Sequence, residues 1–248
     1  MPQVKPSAEI KSDCRLYFQV RTIRSLLIVY ILCAWNISST ANPLPIYLSP
    51  AAEDTTMPMV FFLSGDGGWY RFCQPFSDEM AAQHMPVVGI DSKKYFWNQV
   101  LPAQAAKEFA PVIAEYLEKW HRHSLILAGF SFGADVLPFI FKYLPAVMQQ
   151  QTRMIVLMSP SRTTDFQVHY IDRMGMGKDQ YDHVVLDAIK NLPNTPVLCI
   201  SGDEETTVFP TNFHQPNVTI VTAPGSHHFD NAGEVGALIR KALKTKHI

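Results

Sequence analysis

The sequence predicts an α/β protein: a mostly parallel sheet with helices on both faces. Two observations carry this. Short apolar runs without polar alternation recur along the chain, as strands buried on both faces require. Longer stretches with helical periodicity separate them, and repeated strand-helix alternation builds a parallel sheet covered on both sides.

Strands are expected at 46–48, 59–63, 87–91, 125–128, 154–158, 197–201 and 218–222, helices at 76–83, 103–120, 132–143, 180–191 and 231–244. In the second helix, Ala106, Phe109, Val112, Ile113, Tyr116, Leu117 and Trp120 share one stripe. Lys107, Glu108, Glu115, Glu118 and Lys119 fall outside it. Pro111 and Pro138 sit within helical stretches, where a missing N–H and a ring clash disturb the ladder. A kink or a late start is expected at each.

A chain of 248 residues, 47% hydrophobic, is long enough for one well-buried core and short for two. The first 41 residues read separately. Arg15, Arg21 and Arg24 precede the apolar run "LLIVYILCAW", and Ser39, Thr40 and Ala41 follow it. That order describes a secretory signal peptide over 1–41, leaving a single domain over 42–248. The run is about half the ~20 residues of a spanning helix, so an uncleaved anchor is the weaker alternative. Removing the leader's five basic and two acidic residues from a chain of 21 and 22 leaves a net charge of −4. No basic patch for nucleic acid is visible. Cys73 and Cys199 remain, too few for a disulfide framework, and are expected as buried free thiols. Metal-ligand spacings such as C-x-x-C and H-E-x-x-H do not occur, and neither a metal nor another cofactor is expected.

In a sheet of this kind, ligands bind outside the carboxyl ends of the strands. Four loops lie there: "LSGDGGWYRF", "GFSFGAD", "SGDEETTVFP" and "APGSHHFDN". The second is a G-x-S-x-G pattern between an expected strand and an expected helix, the context in which Ser131 sits on a sharp turn as a nucleophile. Its hydroxyl needs a histidine to take the proton and a carboxylate to fix that histidine. In the α/β-hydrolase order of serine, acid, histidine, the third loop supplies the acid and the fourth the base. Gly202, Glu205 and Val208 reproduce the usual acid spacing, so Glu205 is favoured; Asp203 stands close behind and Glu204 last. For the base, similarity to loops with glycine, two residues, histidine and an aromatic favours His228 beside Phe229, with His227 the alternative. The backbone N–H groups of Phe132 and Asp66 are the candidate oxyanion donors. Residues 159–190 exceed a simple crossover and are expected to form a cap or lid over the site.

Several stretches, "FFLSGDGGW", "VVGIDSKKYFW", "GFSFGADVLPF", "DFQVHY" and "PGSHHFD", resemble the bacterial virulence protein VirJ and AcvB family, from about Met59 to the C-terminus. The chain is similar to the shorter, VirJ form. The resemblance implies an exported, periplasmic α/β-hydrolase associated with type IV secretion, which hydrolyses the aminoacyl ester of lysyl-phosphatidylglycerol. It also implies secretion-system components as partners, and it carries Ser131 over as nucleophile. For such a cationic acyl group, Asp66 and Asp135 are candidate ammonium readers, with Trp69 and Tyr70 as further substrate contacts. Tyr70, Phe96 and Trp97 are expected as apolar wall or membrane-facing residues. Two alternatives stand beside this reading: an esterase or thioesterase for another small acyl ester, and a secretion-assisting binding module on a hydrolase fold.

Overall fold

Strands apolar on both faces need cover above and below, and alternate residues along them feed two separate cores. The computed structural model describes residues 43–52, 55–169, 181–205 and 213–245. The signal peptide expected at 1–41 lies outside them. The main sheet has seven strands in the order β1-β3-β2-β4-β5-β8-β9. These are β1 (Ile46–Ser49), β2 (Met59–Leu63), β3 (Val87–Ile90), β4 (Leu125–Phe130), β5 (Thr152–Met158), β8 (Val197–Gly202) and β9 (Val218–Ala223). Only β1 runs antiparallel, pairing Ile46 with Ile90 and Ser49 with Val87. All other pairings in this sheet are parallel.

Met59, Phe61 and Leu63 of β2 face one core, Val60 and Phe62 the other. The first core is closed by α3 (Pro102–Lys119), α4 (Phe132–Phe141) and α6 (Val185–Lys190), through Phe109, Ile113, Ile140 and Ile189. The second is closed by α1 (Cys73–Ala82) and α7 (Ala232–Thr245), through Phe76, Met80, Val235 and Ile239. Cys199 belongs to the first core and Cys73 to the second, so the sheet stands between the two thiols. Both are free and buried, and burial pushes them up to about 12 and about 11.

The prolines do not delay their helices. Pro111 lies inside α3, which begins at Pro102, and Pro138 inside α4, which begins at Phe132. Each helix buries an apolar face against the sheet, and that packing holds the turn across the missing N–H. The helix expected over 180–191 begins only at Val185. His183–Val184 (β7) pairs instead with Thr163–Thr164 (β6) in a two-stranded antiparallel ribbon. Two short helices went unforeseen, α2 (Ser92–Tyr95) and α5 (Ala146–Gln151).

The first loop is held by its tryptophan. Trp69 stacks on Tyr47 of β1 at 4.6 Å between ring centroids, meets Phe62 edge-on, and donates from Nε1 to Gln74. Its ring fills the space over Gly89, where a Cβ would come within 2.0 Å. Gly89→Ala is therefore expected to displace the ring and cost about 1–3 kcal/mol, as other overpacked sites do, read as a lowered denaturant midpoint.

Candidate active site

The carboxyl ends of the parallel strands β2, β4, β5, β8 and β9 lie along one edge, and the site residues come from the loops that follow them and from the first turns of α4. At the tip of β4, Ser131 has φ 50° and ψ −121°, a conformation that L-residues rarely adopt. Its N–H donates to Met158 O, and its carbonyl accepts from the N–H groups of Ala134 and Asp135. The flanking glycines are steric necessities. A Cβ on Gly129 would stand 2.4 Å from Gly133 O, and one on Gly133 would stand 2.3 Å from Leu63 O.

Ser131 Oγ lies 2.9 Å from Nε2 of His227, whose Nδ1 lies 2.6 Å from Oε1 of Glu205. The favoured acid is thus the one in contact with a histidine. Asp203, the other candidate, is engaged elsewhere: its Oδ1 accepts from Gly225 N–H at 2.9 Å and so ties the acid loop to the histidine loop.

The histidine that meets the serine differs from the one expected. His228 was favoured, yet it is His227 that bridges Ser131 and Glu205. Phe229 N–H donates to Ser226 O, closing a turn over these residues, while the Phe229 ring is buried against Phe72 and Phe130. With Phe229 anchored inward, His227 faces the serine and His228 is exposed.

Ser159 was not foreseen. Buried at the tip of β5 with φ 48°, it donates from Oγ to Glu205 Oε2 at 3.0 Å and lies 3.3 Å from His227 O. Gly202 N–H also donates to Glu205 Oε2. The signal was positional: β5 lies between β4 and β8, so its tip separates Ser131 from Glu205.

Burial works against the Glu205 carboxylate, but the His227 hydrogen bond and charge, the Ser159 hydroxyl and Gly202 N–H hold it below the usual range. The Glu205 hydrogen bond raises His227 against partial burial, aided by the charges of Glu205, Asp135 and Asp66. His228 moves the other way, lowered by burial and by the charges of His227 and Arg71.

Asp66, Ser131, Phe132, Asp135 and His227 line one cleft of about 380 Å³. The loop carrying Asp66 closes on the serine, since a Cβ on Gly65 would stand 3.3 Å from that of Ser131. Asp135 is almost fully buried and accepts from Ser161 N–H at 2.5 Å. Burial pushes it up to about 7, offset in part by Ser161 and His227. Residues of 159–169 and Tyr181, all within the expected cap, supply the facing wall, and 170–180 lies outside the described residues.

Two aromatic expectations change, those for Trp69 and Phe96. Trp69 does not line the cleft; its ring is committed to Tyr47, Phe62 and the space over Gly89. Phe96 is fully buried and packs edge-on against Phe132, so it supports the cleft from behind. Tyr70 and Trp97 are exposed outside it, Tyr70 beneath the Arg71 guanidinium. Among the described residues no group of histidine, cysteine and carboxylate side chains could hold a metal, and no helix is long and apolar enough to cross a membrane.

A family model described as bacterial virulence protein (VirJ) matches residues 57–247. The chain belongs to that family. Its fold is that of the α/β-hydrolases, and solved structures of low identity share it. Est1E from Butyrivibrio proteoclasticus, with ferulic acid bound, aligns with this VirJ-family chain at a TM-score of 0.54 and 16% identity, over 82% of this chain and 94% of its own. The esterase domain of a Rhodothermus marinus protein aligns at 0.54 and 11% identity, over 80% and 91%. No curated protein matches the chain.

The two histidines make a direct test. With a chromogenic short-chain ester as probe, His227→Ala is expected to lower turnover by about 10⁴-fold or more, the scale of triad removals elsewhere, and His228→Ala by less than about tenfold. The pH profile makes another. A base must be neutral to accept a proton, and His227 is raised above its ordinary 6.5, so turnover should rise with pH through a midpoint above 6.5. Glu205→Gln removes the leading cause of that shift and should move the residual acid limb to lower pH.

Proposed function

We propose that this protein is a periplasmic serine esterase that hydrolyses the aminoacyl ester of lysyl-phosphatidylglycerol, in a cell that uses type IV secretion. The observation that carries the enzymatic part is the hydrogen-bonded series Glu205, His227, Ser131 opening on the cleft. His227 Nε2 takes the hydroxyl proton as Ser131 Oγ attacks the ester carbonyl carbon. The tetrahedral oxyanion is received by the N–H groups of Phe132 and Asp66. Collapse breaks the ester bond, His227 hands the proton to the departing alcohol oxygen, and the aminoacyl group stays on Ser131. Water, deprotonated by His227, then releases the amino acid and restores the serine.

The substrate is supported by family membership and by the charge of the cleft. Asp66 and Asp135 lie beside Ser131, where the acyl group must sit, and a carboxylate there favours an acyl group bearing ammonium. Burial raises Asp135, and an arriving cation would act against that rise, favouring the ionised form. The leader-like sequence at 1–41 supports export.

Purified protein added to vesicles containing lysyl-phosphatidylglycerol is expected to release lysine and phosphatidylglycerol, with no release by Ser131→Ala. Intact lipid alongside turnover of simple acyl esters would reject the substrate while leaving the esterase.

A further inference from the structure

The cleft wall contributed by 159–169 differs in charge from the wall that holds the serine. Around Ser131 the charged groups are the carboxylates Asp66, Asp135 and Glu205. The facing wall carries Arg162, which also lines the cleft. Arg162 is exposed there, and no described carboxylate pairs with it. Two acidic side chains near it, Asp165 and Asp135, are engaged with other partners. Asp165 holds His169 through Oδ2 and Nε2, and its Oδ1 accepts from Gln167 N–H. Asp135 takes the Ser161 N–H immediately before Arg162, fixing the backbone from which the guanidinium projects to the helix that begins at Phe132. The Arg162 carbonyl is fixed too, accepting from Val185 N–H at the start of α6. A cation on a braced backbone, lining a reaction cleft and paired with no described carboxylate, is placed to bind an anion that arrives with the ligand.

We propose that Arg162 is a specificity-determining residue that binds the phosphodiester of the substrate's alcohol portion, while the carboxylates across the cleft receive its ammonium. This rests on the esterase reading above and adds to it the recognition of the leaving group. His169, held by Asp165 and stacked on Tyr181 at 5.5 Å, lines the same cleft. A substrate with separated charges of opposite sign is thereby oriented in one direction across Ser131. A lysine ester without the phosphate loses half of that orientation.

The test has a hydrolysis arm and a binding arm. In the first, kcat/KM is measured for two soluble esters, lysine esterified to glycerophosphoglycerol and lysine methyl ester. The wild-type ratio should favour the phosphodiester; Arg162→Gln should lower that ratio by roughly 10- to 100-fold, and Arg162→Lys should recover part of it, because a charge remains but the fork is lost. A ratio unmoved by Arg162→Gln, whether both rates fall together or neither falls, overturns the assignment. In the second arm, calorimetry with glycerophosphoglycerol itself should show binding to Ser131→Ala that weakens by a similar factor in the Ser131→Ala, Arg162→Gln double variant. Equal binding to both overturns the anion site even if the esterase stands. Selective loss of binding in a protein that hydrolyses neither ester upholds the anion site and rejects the esterase.

Discussion

The site depends on one backbone contact, that of Gly133 against the end of β2. Helix α4 can leave β4 at a sharp angle because its first turn touches Leu63 O with no side chain between them. That contact forces the chain through the left-handed region at residue 131, where the surrounding hydrogen bonds hold a serine. Remove the contact and the helix must swing outward. Ser131 would relax to an ordinary conformation, and its hydroxyl would leave the line defined by His227 and Glu205. The strain at one residue is thus maintained by the packing of two strands and a helix, all buried.

The acidic loop divides two tasks between two carboxylates. Asp203 ties its loop to Gly225, setting the distance between the strands' two tips, and Glu205 reaches the imidazole. The longer glutamate side chain also lets its second oxygen turn back to Gly202 N–H and outward to the Ser159 hydroxyl. Three strand tips, β5, β8 and β9, therefore meet at one carboxylate group. Ser159 in turn lies against the His227 carbonyl, so Glu205 and His227 share a support.

How much of this was legible in the sequence follows from the range of each interaction. Strand positions were readable because continuous apolar runs have few other uses, and all seven sheet strands appear near their expected places. Ser131 was readable because its signature is local: strand, glycine, serine, glycine, helix. Glu205 was readable from its spacing to Gly202, again a contact within one loop, closed by the Gly202 N–H. The histidine was not, because the choice between 227 and 228 is made by Phe229, whose ring finds its place among Phe72 and Phe130, far away in sequence. Trp69 misled for the same reason. A tryptophan in a glycine-rich loop reads as a ligand contact, but Tyr47 and the bare backbone of Gly89 offered it a better surface. The antiparallel pair of β6 and β7 was hidden by its brevity, since two-residue strands leave no periodicity to read.

The polarity of the cleft sets what part of a lipid it can admit. Among the described residues its apolar side chains are Phe132, Pro160, Val168 and Tyr181, set among serines, threonines and charged groups. Moving an acyl chain from a bilayer into such surroundings forfeits roughly 0.8 kcal/mol for each methylene, so under the proposed reading the tails stay where they are. Only the head group crosses into the protein. Turnover would then follow the mole fraction of substrate in the membrane surface and the time the protein spends there, not the bulk concentration of lipid.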